Sequence, residues 1–323
     1  ENLFLNMENY KGENLLTMGE GNWQKLTQSV TLNKNLNKTW ALSKAIREIK
    51  PDILLINEVG GESSLKNFNQ YFLDQHYRPL IIKGNSDRGI DVGYLIKDDP
   101  EIDIQLYSHR QRPLSVSPAL EKSNISSHQS SIYFSRDVLE MRLSLKDENI
   151  PCLVLLLTHL KSKLDPTGLD PQGRQRRRAE LQTLVDIYNE TKIQLPEETP
   201  FIVAGDFNGI AHKSGHEPEF APLYTESDLI ELFDYLKKDE EFRTTQTQFS
   251  PNGSRRLLQL DYFFLSPQLL NNIDKGSCYV YKYRNKKGEP QELSETLEHR
   301  KSLPSDHYPV VLTLKNPLLK WDK

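Results

Sequence analysis

Phe201-Ile-Val-Ala-Gly-Asp206-Phe-Asn208 decides how the rest of this sequence is read. Four apolar residues run without a break, as in a strand buried on both faces, and then give way to glycine, acid and amide. Gly205 permits close backbone approach, and Asp206 and Asn208 are left at the strand's end. A charge in that position is costly to desolvate unless it is paired or coordinates a cation. The same pattern recurs along the chain. Glu58 closes Ile53-Leu-Leu-Ile-Asn-Glu58, Asp261 follows Leu257-Leu-Gln-Leu, and Asp306-His307 precedes Tyr308-Pro-Val-Val-Leu. Asn6 and Glu8 lie near the start, in Leu5-Asn6-Met-Glu8-Asn9. One such residue would be read as a cap or a loop solvator; five strand ends carrying them point to one convergent cleft.

Outward from that stretch, residues 53–56, 92–96, 153–157, 201–204, 261–265 and 310–314 read as strands. Residues 38–49 and 176–189 read as helices, the second because Leu181, Leu184, Val185 and Tyr188 fall at i, i+3, i+4 and i+7. Pro51 stops the first helix just before its strand. The alternation predicts a layered α/β domain. No repeat, low-complexity tract or Gly/Ser linker marks a boundary, so residues 1–323 are taken as one domain. Polar stretches 107–131, 209–224 and 282–305 read as long loops. Arg174, Arg176, Arg177 and Arg178 open a helix and read first as a solvated face.

Composition narrows the function. The 323 residues carry 41 Lys and Arg against 45 Asp and Glu, a net charge of −4, so polyanion binding must come from local basic patches or a bound metal. With 37% hydrophobic residues the chain can bury a sizeable core. The longest apolar run, 152–157, is far too short for the ~20 residues of a membrane helix. Two cysteines, Cys152 and Cys278, exclude a disulfide framework and a cysteine-rich zinc site, and mildly favour a reducing, cytoplasmic compartment over secretion. The chain begins at Glu1, which leaves an upstream leader open. No signature of a protein partner or oligomer is present, so a monomer is expected.

Oxygen donors with one or two imidazoles and no thiolate suit a hard cation, Mg²⁺ or Mn²⁺, better than structural zinc. Such a site fits phosphoryl chemistry: metal neutralising non-bridging oxygens, a carboxylate orienting water, a histidine donating to the phosphate. His212 and His216 stand at i, i+4 beside Glu217, but Pro218 breaks any helix there, which makes them a poor metal pair.

The residues themselves then resemble a family. Leu5-Asn-Met-Glu8, Ile56-Asn-Glu58-Val, Thr158-His159-Leu, Gly205-Asp206-Phe-Asn208, Leu260-Asp261-Tyr-Phe-Phe-Leu-Ser and Ser305-Asp306-His307-Tyr-Pro-Val occur in the order found in the endonuclease/exonuclease/phosphatase superfamily, typified by deoxyribonuclease I and the major apurinic endonucleases. The resemblance implies a four-layer sandwich, two mixed β-sheets face to face with helices on the outside. It also implies a Mg²⁺-dependent phosphoesterase that uses a water nucleophile without a covalent intermediate. Glu58 resembles the principal metal ligand, with Asn6 and Asp306 near the same cation and Glu8 where relatives often place a further acid. Asp206 resembles the carboxylate that activates water, Asn208 a holder of phosphate or water, and Asp261 the partner that fixes the tautomer of phosphate-contacting His307. His159 resembles a second phosphate-facing histidine, with Asp91 expected to orient it, and Arg136 a phosphate-contacting arginine. The alternatives are a turn cap for Asp91 and a surface pair with Asp137 or Glu140 for Arg136.

Departures bear on substrate. Deoxyribonuclease I has a groove-reading arginine soon after its metal-binding Glu, whereas Val59, Gly60 and Gly61 follow Glu58 here. The Trp-Cys-Asp-Arg signature of inositol-polyphosphate phosphatases is replaced by Leu-Gln-Leu-Asp261-Tyr. Arg255 and Arg256 would suit a polyanion, or equally a solvated turn after Asn252-Gly253. The first expectation is therefore a nuclease acting on DNA or RNA. The second is the same chemistry on a phospholipid head group, an inositol phosphate or another small phosphoester, and the third a binding protein that keeps the fold without catalysis.

Overall fold

The computed structural model describes residues 2–115, 132–164, 168–285 and 287–315. Strands β1 (Ile53–Val59), β2 (Tyr77–Ile81) and β3 (Asp91–Lys97) form the smaller sheet in the order β1-β3-β2. Its three strands are antiparallel, and Leu3 adds a parallel bridge to Val59. The larger sheet collects β4 (Ile102–Ser108), β5 (Val138–Leu145), β6 (Leu153–His159), β7 (Phe201–Asp206) and β8 (Ile230–Glu231). A hairpin of β9 (Gln246–Phe249) and β10 (Arg255–Leu258) then leads into β11 (Asp261–Leu265), which inserts between β7 and β8. The larger sheet is mixed, because β6 and β7 are parallel and its other pairs antiparallel. A short pair, β12 (Tyr279–Val280) with β13 (Val310–Val311), follows.

Side-chain alternation builds the layers. In β6, Leu153, Leu155 and Leu157 face inward and meet Val92, Tyr94 and Ile96 of β3 in the core between the sheets. Val154 and Leu156 face outward, with Phe201 and Val203 of β7, onto a long helix (Arg174–Gln194) through Leu181, Leu184, Val185 and Tyr188. That double burial is why these strands read as continuous apolar runs. On the other side, helices Leu36–Ile49 and Gly61–Phe72 pack Leu36, Ile46, Leu65, Phe68 and Phe72 against Val59, Tyr77 and Leu95. Helices outside, two sheets inside: the four-layer α/β sandwich is the architecture.

The strand and helix cores fall where the sequence placed them, but three loop expectations need correction. Stretch 107–131 begins inside β4, and residues 116–131 lie outside the described residues. Stretch 209–224 folds into the turn Pro218–Phe220 and the start of helix Pro222–Thr225, and 282–305 contains helix Leu297–Ser302. Strand 310–314 shortens to β13 plus a bridge from Leu314 to Ile273. Among the described residues no helix is long and apolar enough to cross a membrane.

Candidate active site

The inward rows of three neighbouring strands end in the three residues that matter most. His159 continues Leu153-Leu155-Leu157, Asp206 continues Ile202 and Ala204, and Asp261 starts the row of Phe263 and Leu265. Registration puts them opposite one another, His159 beside Asp206 and Asp206 beside Asp261. The row is therefore a cross-strand contact set by the sheet itself. Gly205 makes it possible: at φ +136° it passes so close to Thr158 that a Cβ would lie 1.9 Å from the Thr158 carbonyl oxygen. Asn208 then turns through a left-handed φ of 52°, which asparagine tolerates, donating its backbone N–H to Asp206 Oδ1 at 2.8 Å and its side-chain amide to Leu160 O at 2.9 Å.

His307 closes the row. Its Nδ1 lies 2.7 Å from Asp261 Oδ2, and one ligand atom each of Asp206, Asp261 and His307 lies within 4.8 Å of the others. Among the described residues this is the one acidic and histidine cluster with such spacing. Burial raises Asp206 to about 7; Asp261 and Glu58 push in the same direction while His307 opposes them. Burial would lower His307, but Asp261, Asp206 and Asp306 outweigh it and hold the imidazole up to about 10. His159 goes the other way, well below its ordinary value, through burial first and then the charges of Arg136 and His307. Its Nε2 faces Asp206 Oδ2 at 3.5 Å. A carboxylate able to take a proton near neutrality thus sits between a cationic and a neutral imidazole.

The smaller sheet supplies a second set. A register shift between Ile56 and Val59 puts Glu58 in a bulge at φ 61°, which re-aims its side chain. Leu3 N–H donates to Glu58 O at 2.8 Å and Gly60 N–H to Leu3 O at 2.9 Å, so the first strand-like residues run beside the bulge. Asn33 holds both backbone groups of Asn6, at 2.7 and 2.9 Å. For Asp306, burial works against ionisation, but nearby positive charge including His307 and Arg300 prevails and keeps it well below the usual carboxylate range. The donors fit a hard divalent cation: carboxylates Glu58 and Asp306, amide Asn6, and no thiolate. Asn57, next to Glu58, adds a buried amide oxygen with no hydrogen-bond partner among the described residues.

Several expectations change. Asp91 does not orient His159: its Oδ1 accepts Gly84 N–H at 2.8 Å, and His159 Nδ1 has no hydrogen-bond partner among the described residues. Arg136 makes neither surface pair; it is buried, donates to Leu160 O at 3.3 Å and so shares that carbonyl with Asn208. Glu8 is exposed and accepts Gln28 N–H at 3.2 Å, which ties it to that turn instead of the acidic cluster. The arginine cluster is not one solvated face, since Arg177 is fully buried against Glu219 and Arg176 reaches Tyr133 O. His212 and His216 bond separately, to Ser214 Oγ and Lys213 O. Arg255 and Arg256 are exposed on β10, with Arg255 also reaching Leu293 O at 3.3 Å.

Sequence reading missed Arg88, whose Nη2 lies 4.0 Å from Glu58 Oε1, and Gln246, whose side-chain amide lies 2.7 Å from His307 Nε2. Gln246 carried no signal by spacing, because it reaches His307 through an isolated bridge across 61 residues.

The model of the Endonuclease/Exonuclease/phosphatase family matches residues 22–307. The chain belongs to this family. Its fold is similar to truncated TDP2 from Caenorhabditis elegans at 15% identity and TM-score 0.54, over 85% of this chain and 88% of that one. The human Nocturnin catalytic domain with bound sulfate aligns at 17% identity and TM-score 0.54, over 90% and 91%. TDP2 from D. rerio, complexed with single strand DNA product, aligns at 14% identity and TM-score 0.53, over 87% and 92%. No curated protein sequence matches. Family membership makes the chain a hydrolase of the Endonuclease/Exonuclease/phosphatase family.

Proposed function

We propose that this chain is a divalent-metal-dependent phosphodiesterase that cleaves nucleic acid with an activated water. The observation that carries this reading is the cross-strand row of His159, Asp206 and Asp261 with His307 bound at its end. Asp206 accepts the proton of the attacking water, poised by a value near 7, and Asn208 holds water or phosphate beside it. His307, kept cationic by Asp261, donates from Nε2 to the phosphoryl oxygen that gains charge. Glu58, Asn6 and Asp306 would hold Mg²⁺, or Mn²⁺, which when bound neutralises the non-bridging oxygens. Arg255 and Arg256 are exposed on the hairpin that Gln246 joins to His307 and offer cations to the backbone of a polyanionic strand. The single strand DNA product in the D. rerio TDP2 structure supports the same substrate class.

The same chemistry on a small phosphoester is the second reading, favoured because Val59, Gly60 and Gly61 follow Glu58 where deoxyribonuclease I has its groove-reading arginine. A panel of plasmid DNA, single-stranded DNA, RNA, a nitrophenyl phosphodiester and phospholipid, each with Mg²⁺, Mn²⁺ or chelator, separates the readings. Metal-dependent cleavage of nucleic acid is expected. Turnover of small esters or lipid alone would move the assignment to the second reading, and no turnover of any would leave a binding protein.

A further inference from the structure

His307 has both ring nitrogens engaged. Asp261 holds Nδ1 at 2.7 Å, and the Gln246 side-chain amide lies 2.7 Å from Nε2. The backbone builds the second contact. Gln246 bridges His307 as an antiparallel partner, and Tyr308 N–H donates to Thr245 O at 2.7 Å. Thr245 Oγ1 accepts the N–H groups of Leu260 and Asp261, at 2.9 and 3.2 Å. One dipeptide, Thr245-Gln246, therefore fixes both Asp261 and His307, and it sets a half-buried amide on the ring atom that the functional reading gives to phosphate.

With the ring cationic its Nε2–H is a donor, so the amide engages it by turning Oε1 toward it, and a phosphoryl oxygen reaching Nε2 must displace that oxygen. We propose that Gln246 is a positioning residue that occupies His307 Nε2 in the free protein and sets substrate affinity by competing with the phosphoryl oxygen for that atom. The proposal rests on the phosphodiesterase reading and deepens it. On displacement the amide can turn its N–H toward the same oxygen, but its effect on affinity is dominated by the bond given up. Asp261 is untouched by the exchange and keeps the ring in place.

The test is the full chain with Gln246→Ala, Gln246→Asn and Gln246→Glu, using inorganic phosphate as probe in Mg²⁺ and the ring-nitrogen resonances of His307 as readout. Removing the amide's hydrogen bond to the ring should tighten phosphate by about 3- to 10-fold in the Ala variant and lower KM for a nitrophenyl phosphodiester by a similar factor. Asn, one methylene shorter, should follow Ala. Glu, which holds Nε2 more firmly and repels the anion, should weaken phosphate at least about tenfold. A merely structural role for Gln246 predicts a lower Tm with phosphate affinity unmoved. Unchanged or weakened phosphate binding in folded Gln246→Ala overturns the proposal, as does a wild type that binds no phosphate. An affinity difference between wild type and Gln246→Ala in a protein that cleaves no phosphodiester overturns the functional reading and leaves the competition standing.

Discussion

The two sheets deliver their reactive groups in different ways. In the larger sheet, His159, Asp206 and Asp261 face one another by strand register, and Asp261 locks His307 through Nδ1. In the smaller sheet, Glu58 sits in a bulge at a left-handed φ with Arg88 Nη2 4.0 Å from its Oε1, and Asn33 holds the backbone of Asn6. On the proposed function the larger sheet would preorganise proton transfer, and the smaller one would offer oxygen donors to a cation. Chemistry and metal capture are separable on this view, and substitutions on the two sides should fail differently.

The largest effect is expected on the chemical side. Asp206→Asn should lower turnover by roughly 10²–10⁴-fold with folding intact, and added metal should not restore it. Near-normal turnover in a folded variant would remove Asp206 as the proton acceptor and erase the contrast. On the metal side, Glu58→Gln should raise the metal concentration needed for half-maximal activity by about 10- to 100-fold, and saturating Mg²⁺ should recover much of the rate. A defect that metal cannot rescue would give Glu58 a part in the chemistry.

A smaller effect concerns the hairpin, which belongs to neither sheet. Arg255→Ala with Arg256→Ala should weaken nucleic-acid binding about equally across sequences and reduce the salt slope by about 2. An unchanged slope would place the backbone contacts elsewhere. The smallest effect concerns stability alone. Burial raises Asp137 from 3.8 to about 7 despite the hydrogen bond from Ser108, so the folded state binds a proton that the unfolded chain releases. Stability should therefore fall as pH rises from about 4 to 7 and stay low above that window. Asp137→Asn, which keeps the Ser108 bond, should remove this slope and raise Tm by roughly 5 °C at pH 8, with no difference near pH 4. A parallel pH profile in thermal melts of the two proteins would refute it.

Much of this contrast was legible in the sequence, and what was not has a physical reason. Strands β3, β6, β7 and β11 announced themselves because both faces are buried, which leaves continuous apolar runs. Strands β4 and β5 did not, because Asp103 and Gln105 on one and Glu140 and Arg142 on the other interrupt the pattern. Glu140 is buried by pairing with Arg142 and His109, which local sequence cannot reveal. Asp206, Asp261 and His307 were identifiable from their place at strand ends. Asp91 was misjudged because its carboxylate is taken by the Gly84 N–H, a partner that only the folded chain brings to it. Gln246 was invisible for the same reason, as its role comes from a bridge and not from its neighbours in sequence.

Gly205 gives the site an unusual kind of fragility. The spacing between β6 and β7 at the reactive acid is set by an atom that is missing, since one methyl group would press on the Thr158 carbonyl and wedge the strands apart. Such a wedge would tilt Asp206 relative to the histidine on one side and the aspartate on the other, while leaving every reactive side chain in the sequence. The chain could thus lose its activity at a position that bears no chemistry, and position 205 tolerates less change than many that do.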